Sequence, residues 1–382
     1  MRFNHAARVL AILSAALVSS ASSSASQGLS ARNGGLQTRA TICNGHAELC
    51  ERSFGSVTFV GTHDSYAIGL TNNLAVNQDQ DITQQLNDGV RMLQMQAHNQ
   101  GGVIRLCHST CVLLDGGTLE DYLRTVKTWL DANPNEVLSL LIVNIDNLPA
   151  SAYGTVFAAV GLDALSYAPT TSPLPATGWP TLGTLIDSNK RLLTFLDNGA
   201  DLAAVPYLID EFTNIWETQF NVIDVARFDC SVNRTRGDTG TQMFLINHFL
   251  DKLVLGQPVP FIEQLGVTNA ASGVGSLGAH VETCRTAHGR APNFLLVDFY
   301  EYGGGSVFEV AAQINGVPYN PATPVASPAS TASGTRTSGG ASNTSRPGGN
   351  SGAAPGALSG SPVFYLVSSF FIGALAAGQL LF

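Results

Sequence analysis

Seven short apolar runs spaced through the middle of the chain restrict its fold more than any other feature. They are SVTFVG (56–61), VRMLQMQ (90–96), VIRLCH (103–108), VLSLLIVNI (137–145), RLLTFLD (191–197), MFLINHF (243–249) and NFLLVDFY (293–300). Runs this short and this continuously apolar read as strands buried on both faces, the habit of parallel sheets. Between two of them, Leu119, Tyr122, Leu123, Val126 and Leu130 recur at helical spacing and stop before Pro134, which predicts a helix. Strands alternating with helices imply a mostly parallel sheet covered by helices. From 41 to 320 there is neither an internal repeat nor a linker, and that length suits an α/β TIM-type (βα) barrel better than a short doubly wound sheet.

A barrel collects its chemistry at the C-terminal ends of its strands. His63, Gln96, His98, His108, Asp146, Asp197, His248 and Asp298 all fall at or just past the end of an apolar run. Any one histidine there is more often a hydrogen-bonded structural group than a catalyst. Histidines and carboxylates gathered on one barrel face are more telling, because general acid/base catalysis needs one group to take a proton and another to supply one. Such a set suits hydrolysis or internal transfer at a phosphodiester, and equally other reactions.

Both ends read as processing signals. Residues 1–25 carry Arg2 and Arg8, an apolar stretch and then small residues, the pattern of a secretory signal peptide. Residues 321–350 are rich in Ser, Thr, Gly, Ala and Pro, with too little apolar surface to offset the entropy of ordering, and read as a stalk. Residues 351–382 end in an apolar tail with no basic residue after it, which reads as a removable glycosylphosphatidylinositol (GPI) signal with attachment at Asn350; a genuine transmembrane helix is the alternative. The expected location is the cell surface, at the outer leaflet or cell wall. A formal charge of −9 without a basic cluster argues against nucleic acid as a partner.

The six cysteines, an even number in a secreted chain, point to disulfides. Proximity pairs Cys43 with Cys50 and Cys107 with Cys111, leaving Cys230 for Cys284; their spacings do not fit a zinc site. Asn233 and Asn343 head glycosylation sequons.

GTHDSY (61–66), QQLNDGVRMLQMQAH (84–98), IRLCHS (104–109) and the helical stretch LEDYLRTVKTWLDANPNEVLSLLIVN (119–144) are similar in order and spacing to the X region of phosphatidylinositol-specific phospholipase C. More closely they resemble the secreted PLC-like phosphodiesterases of fungi. The likeness is dense from about 55 to 147 and looser at NFLLVDFY. It implies His63 as general base toward an inositol hydroxyl and His108 as general acid for the leaving oxygen. Asp298 would orient His63 and favour its protonated form, and Asp64 would assist His108 or merely cap a turn. The implied partner is a phospholipid or related phosphodiester.

One departure matters. Relatives place an arginine or calcium-binding acids in the second strand, where this chain has Gln94 and Gln96. Amides neither balance a phosphate's charge nor gather the carboxylates that strong calcium sites need, so no cofactor is expected, with calcium the alternative although its usual acidic ligands are missing. Period two puts Gln94, Gln96 and His98 on one strand face, making His98 the nearest on-strand cation, while the two amides either bind substrate or line the barrel silently. His248 either faces the lumen as a substrate contact or serves a structural hydrogen bond. The stretches 148–180 and 207–240 read as pocket-lining loops without a signature. The leading expectation is therefore a His/His phosphodiesterase. A barrel that has lost its chemistry and serves as a surface binding module is the alternative, and a wall glycosidase a weaker one, since that chemistry needs two flanking carboxylates.

Overall fold

The computed structural model describes residues 39–329; the signal peptide, the stalk from 330 on, Asn343, Asn350 and the GPI signal lie outside the described residues. Within them the apolar runs become strands β1 (Phe59–Thr62), β2 (Met92–Gln100), β3 (Val103–Cys107), β4 (Asp115–Thr118), β5 (Leu138–Asn144), β6 (Leu192–Leu196), β7 (Leu208–Asp210), β8 (Ile215–Glu217), β9 (Met243–Asn247), β10 (Asp251–Val254), β11 (Gln257–Pro260) and β12 (Phe294–Val297). Helices α1 (Ile82–Asp88), α2 (Leu119–Ala132), α3 (Ala150–Val160), α4 (Leu182–Asp187), α5 (Glu211–Asn214), α6 (Leu265–Thr268), α7 (Leu277–His288) and α8 (Ser306–Asn315) intervene.

The parallel strands run in the order β7-β6-β5-β2-β1-β12-β9-β8 and curl into a (βα) barrel. Its seam lies between β7 and β8, which head the two edges and are joined only by the four residues of α5. A crossover that makes parallel strands neighbours needs a dozen or more residues, so this connection cannot bring β8 alongside β7.

Alternation along each strand sorts the side chains. Phe59, Met92, Leu141, Phe195, Ile209, Leu245 and Phe294 fill the lumen, with Phe54 and Trp179 in the same cluster. Val60, Leu93, Leu140, Phe244 and Leu295 point outward into a second cluster that includes Tyr122, Leu123, Val126 and Leu130 of α2. That helix begins at the predicted place because the Thr118 hydroxyl accepts the Asp121 amide at 3.1 Å.

Several expectations change. VIRLCH is not a barrel strand: β3 runs antiparallel to β2, with Ala97 opposite Leu106, after a turn in which Gly101 and Gly102 both have positive φ. The stretch 148–180 contains α3, and 207–240 contains β7, α5 and β8. Disulfides join Cys43 to Cys50, Cys107 to Cys111 and Cys230 to Cys284. No helix among the described residues is long and apolar enough to cross a membrane.

Candidate active site

Inward residues above the apolar lumen are polar. Thr62 is in register with Leu93 of β2 and Val297 of β12, so one step further His63 falls level with Gln94 and Asp298. The His63 ring donates from Nδ1 to Asp298 Oδ1 at 2.9 Å, which leaves Nε2 facing the barrel mouth. Its flat side stacks on Phe249, with 4.0 Å between ring centroids and planes 1° apart. Asn77, buried in the loop after β1, donates to both Asp298 oxygens at 3.2 Å and so fixes that carboxylate.

His108 reaches the same place by another route. The β2–β3 hairpin folds the chain back, and the Cys107–Cys111 disulfide closes a ring around His108 and Ser109. The His108 Nδ1 donates to the Ala75 carbonyl at 2.7 Å, which again leaves Nε2 free.

Between the imidazoles lies Asp64. Strict alternation would point it outward, but its φ of 40° is left-handed and re-aims the side chain into the mouth. Its Oδ2 stands 3.7 Å from the Nε2 of both His63 and His108. The two glutamines hold it there: Gln94 accepts the Asp64 amide at 2.6 Å, and Gln96 donates to Asp64 Oδ2 at 2.8 Å while accepting from the Ser109 amide at 3.2 Å. The Asp64 Oδ1 is buried without a partner.

The electrostatics are lopsided. Burial opposes a charge on His63, but Asp298, Asp64 and Asp251 outweigh it and lift its pKa to about 9. Asp251, at the start of β10, is pushed up to about 7 by burial and by Asp298, against the pull of His63. Asp298 is raised by burial, with His63 and Asn77 pulling the other way. As a calcium site the position fits poorly, because the Asp64 and Asp298 carboxylates are taken up by Gln96, Asn77 and His63, and both amides are already engaged.

On the opposite rim, at the β7–β8 seam, Glu211, Glu217 and Arg234 form a second charged group. Arg234 Nε donates to Glu217 Oε2 at 3.0 Å, and its guanidinium lies over the rings of Phe212 and Phe220. Burial and the neighbouring Glu217 push Glu211 well above the usual carboxylate range.

The other expected positions differ in their fate. His98 continues the inward face of β2, buried, with Nδ1 3.9 Å from Asp146 Oδ2. His248 is a correction. It points outward from β9, donates from Nε2 to the Thr268 carbonyl at 2.8 Å and meets His280 Nδ1 at 3.0 Å, so it does not line the lumen. The inward neighbour is Asn247, which donates to the Thr218 carbonyl at 2.9 Å. Asn233 is exposed. Asn77, Phe249, Asp251 and the Glu211 group escape sequence reading because they sit in loops or in elements of three or four residues, too short for periodicity.

Comparison with known proteins gives the arrangement a family. The PI-PLC X domain model, described as PI-PLC X 1, matches residues 49–315. An uncharacterized secreted protein of Arthroderma benhamiae is 44% identical over 74% of this chain and 66% of its own length. A PI-PLC X domain-containing protein 1 of the same organism is 43% identical over 72% of this chain and 90% of its own. A PI-PLC X domain-containing protein of Arabidopsis thaliana is 28% identical over 69% of this chain and 62% of its own. Among solved structures, the phosphatidylinositol-specific phospholipase C of Listeria monocytogenes is similar at 16% identity and a TM-score of 0.48, over 69% of this chain and 94% of that one. By the extent of the family match and by its identity to these relatives, the chain belongs to the PI-PLC X domain family.

Proposed function

We propose that this chain is a secreted, membrane-anchored phosphoric diester hydrolase that cleaves a phosphoinositide, a GPI glycan or a related phosphodiester by paired histidine acid/base chemistry. The observation that carries the reading is the convergence of two free Nε2 atoms on one oxygen, each ring tied back through Nδ1. Neutral His63 takes the proton of a hydroxyl that attacks phosphorus, and His108 hands a proton to the departing oxygen. Water then reverses the roles to open a cyclic product. The positive charge absent from Gln94 and Gln96 is supplied by His63 once it has taken the hydroxyl's proton, a state its acidic neighbours favour. The Glu217–Arg234 pair offers acceptors and donors to a hydroxyl-rich headgroup.

A lipid source for the substrate is supported by the mouth's rim. Leu70 and Leu74 after β1, Leu113 beside His108, and Leu253 and Leu255 on the β10–β11 hairpin are all exposed. Three disulfides, a relative named as a secreted protein and the two terminal signals support secretion and anchoring.

The test is turnover of phosphatidylinositol and of an aryl phosphodiester by the secreted protein, with His63→Ala and His108→Ala alongside. Each variant is expected to lose at least 10²-fold. Equal background in all three proteins would sink the proposal and leave a surface binding module.

A further inference from the structure

Both histidines are followed directly by a residue in left-handed backbone, Asp64 at φ 40° after His63 and Ser109 at φ 57° after His108. Outside glycine that conformation is uncommon, and it persists where surrounding groups over-determine it. One side chain meets both turns. Gln96 donates from Nε2 to Asp64 Oδ2 at 2.8 Å and accepts the Ser109 amide on Oε1 at 3.2 Å. The strand that carries it is held on either side, with Gln96 opposite Val143 of β5 and Ala97 opposite Leu106 of β3.

The other ties of each histidine stop short of its counterpart. His63 rests on Asp298 and Phe249, and His108 on the Ala75 carbonyl and the ring closed by Cys107 and Cys111. Gln94, accepting the Asp64 amide at 2.6 Å, holds the Asp64 backbone and not its carboxylate. The oxygen that faces both Nε2 atoms is tied to the turn after His108 by Gln96.

We propose that Gln96 is a positioning residue for phosphodiester cleavage: its amide clamps the two turns together and sets the gap between His63 and His108 in which the phosphate sits. The inference rests on the hydrolase reading and gives the departure in the second strand a task. With both ends of its amide committed to the protein, Gln96 is neither a substrate ligand nor a silent lining. The clamp needs a donor and an acceptor on one short side chain. A guanidinium has no acceptor for the Ser109 amide, and an ionised carboxylate has no donor for Asp64.

The experiment compares the secreted protein with Gln96→Met, which keeps the length and loses both hydrogen bonds, and with Gln96→Glu. Cleavage of an aryl phosphodiester by Gln96→Met is expected to fall about 10- to 10²-fold in kcat with KM within about twofold, since the phosphate loses no contact. A protonated carboxyl offers one donor and one acceptor, as the amide does, so kcat of Gln96→Glu relative to the unmodified protein is expected to climb as pH falls from about 8 to about 5. Asp64, the two imidazoles and Tyr66 surround residue 96 in both proteins, and the ratio removes their shared titration. The imidazole C–H resonances of His63 and His108, assigned with His63→Ala and His108→Ala, are expected to shift in Gln96→Met whether or not the protein turns over, so the clamp and the hydrolase reading can fail separately. Should Gln96→Met fail to fold, Gln96→Glu at acid and neutral pH carries the comparison. A raised KM with unchanged kcat would make Gln96 a substrate contact and overturn the proposal; so would unmoved resonances or a ratio flat in pH.

Discussion

His63 is the residue whose surroundings decide most. With a pKa near 9 it is a cation at neutral pH, yet a general base must be neutral while His108 must keep its proton, so kcat/KM should be bell-shaped with one limb set by His63. Asp298→Asn removes one of the carboxylates that raise it and should move that limb toward lower pH while lowering the plateau, because Nδ1 loses its anchor. A pH profile of aryl phosphodiester cleavage checks both; a limb that stays in place would break the link between Asp298 and His63. Position after an apolar run placed His63, His108 and Asp298 among eight candidates, and only the resemblance to the X region singled them out. The direction of His248 was not legible, because β9 is buried on both faces, and period two cannot say which of Asn247 and His248 points inward when nothing polar alternates. The turn that re-aims Asp64 was equally hidden, since a left-handed φ at an aspartate leaves no mark in composition.

At the scale of elements, the barrel's strands were readable where they are long and apolar, as in β5, and unreadable where the fold departs from regular alternation. β7 and β8 are three residues each, too short for a period to register, and the seam between them is a consequence of connection length. The β2–β3 hairpin carries one of the two histidines, so its disulfide should matter to rate as well as to stability. Replacing Cys107 and Cys111 with Ala closes a loop of sequence separation 4 no longer, a cost of about 2 kcal/mol by the chain-entropy model. Turnover should fall by tenfold or more, read as kcat against the urea midpoint of the same protein. The β10–β11 hairpin makes a different claim. Leu255 is 100% exposed at its tip, with Leu253 at 56%, so Leu253→Glu with Leu255→Glu should weaken binding to phosphatidylinositol vesicles. Cleavage of a water-soluble substrate should be unchanged, and vesicle sedimentation beside a soluble assay separates the two effects.

Across the whole molecule, groups buried on opposite sides of the sheet pull the pH dependence of stability in opposite directions. His248 is depressed to about 3 by burial and by the neighbouring His280, which is itself lowered chiefly by burial. A histidine held below its ordinary 6.5 favours the neutral ring in the fold, so its contribution is complete above 6.5 and is lost as pH falls toward 3. His63 works the other way: raised to about 9, it contributes fully below 6.5 and loses that contribution as pH climbs through 9. Asp251, raised from 3.8 to about 7 by burial first, contributes fully below 3.8 and loses that contribution as pH climbs to about 7, so it offsets part of the His248 gain. The His248 contribution alone should fall by about 3 kcal/mol between pH 6.5 and pH 4, and the His63 contribution should fall as pH climbs above 6.5. Because His248 and His280 pack outside β9 and His63 inside the mouth, the two limbs should be separable by mutation. His280→Gln should flatten the acid limb and leave the alkaline one, whereas Asp298→Asn should flatten only the alkaline limb, as read from urea midpoints between pH 4 and 9. A single variant that flattened both would mean that the two sides of the sheet titrate as one unit and that the assignment of each limb to its own histidine is wrong.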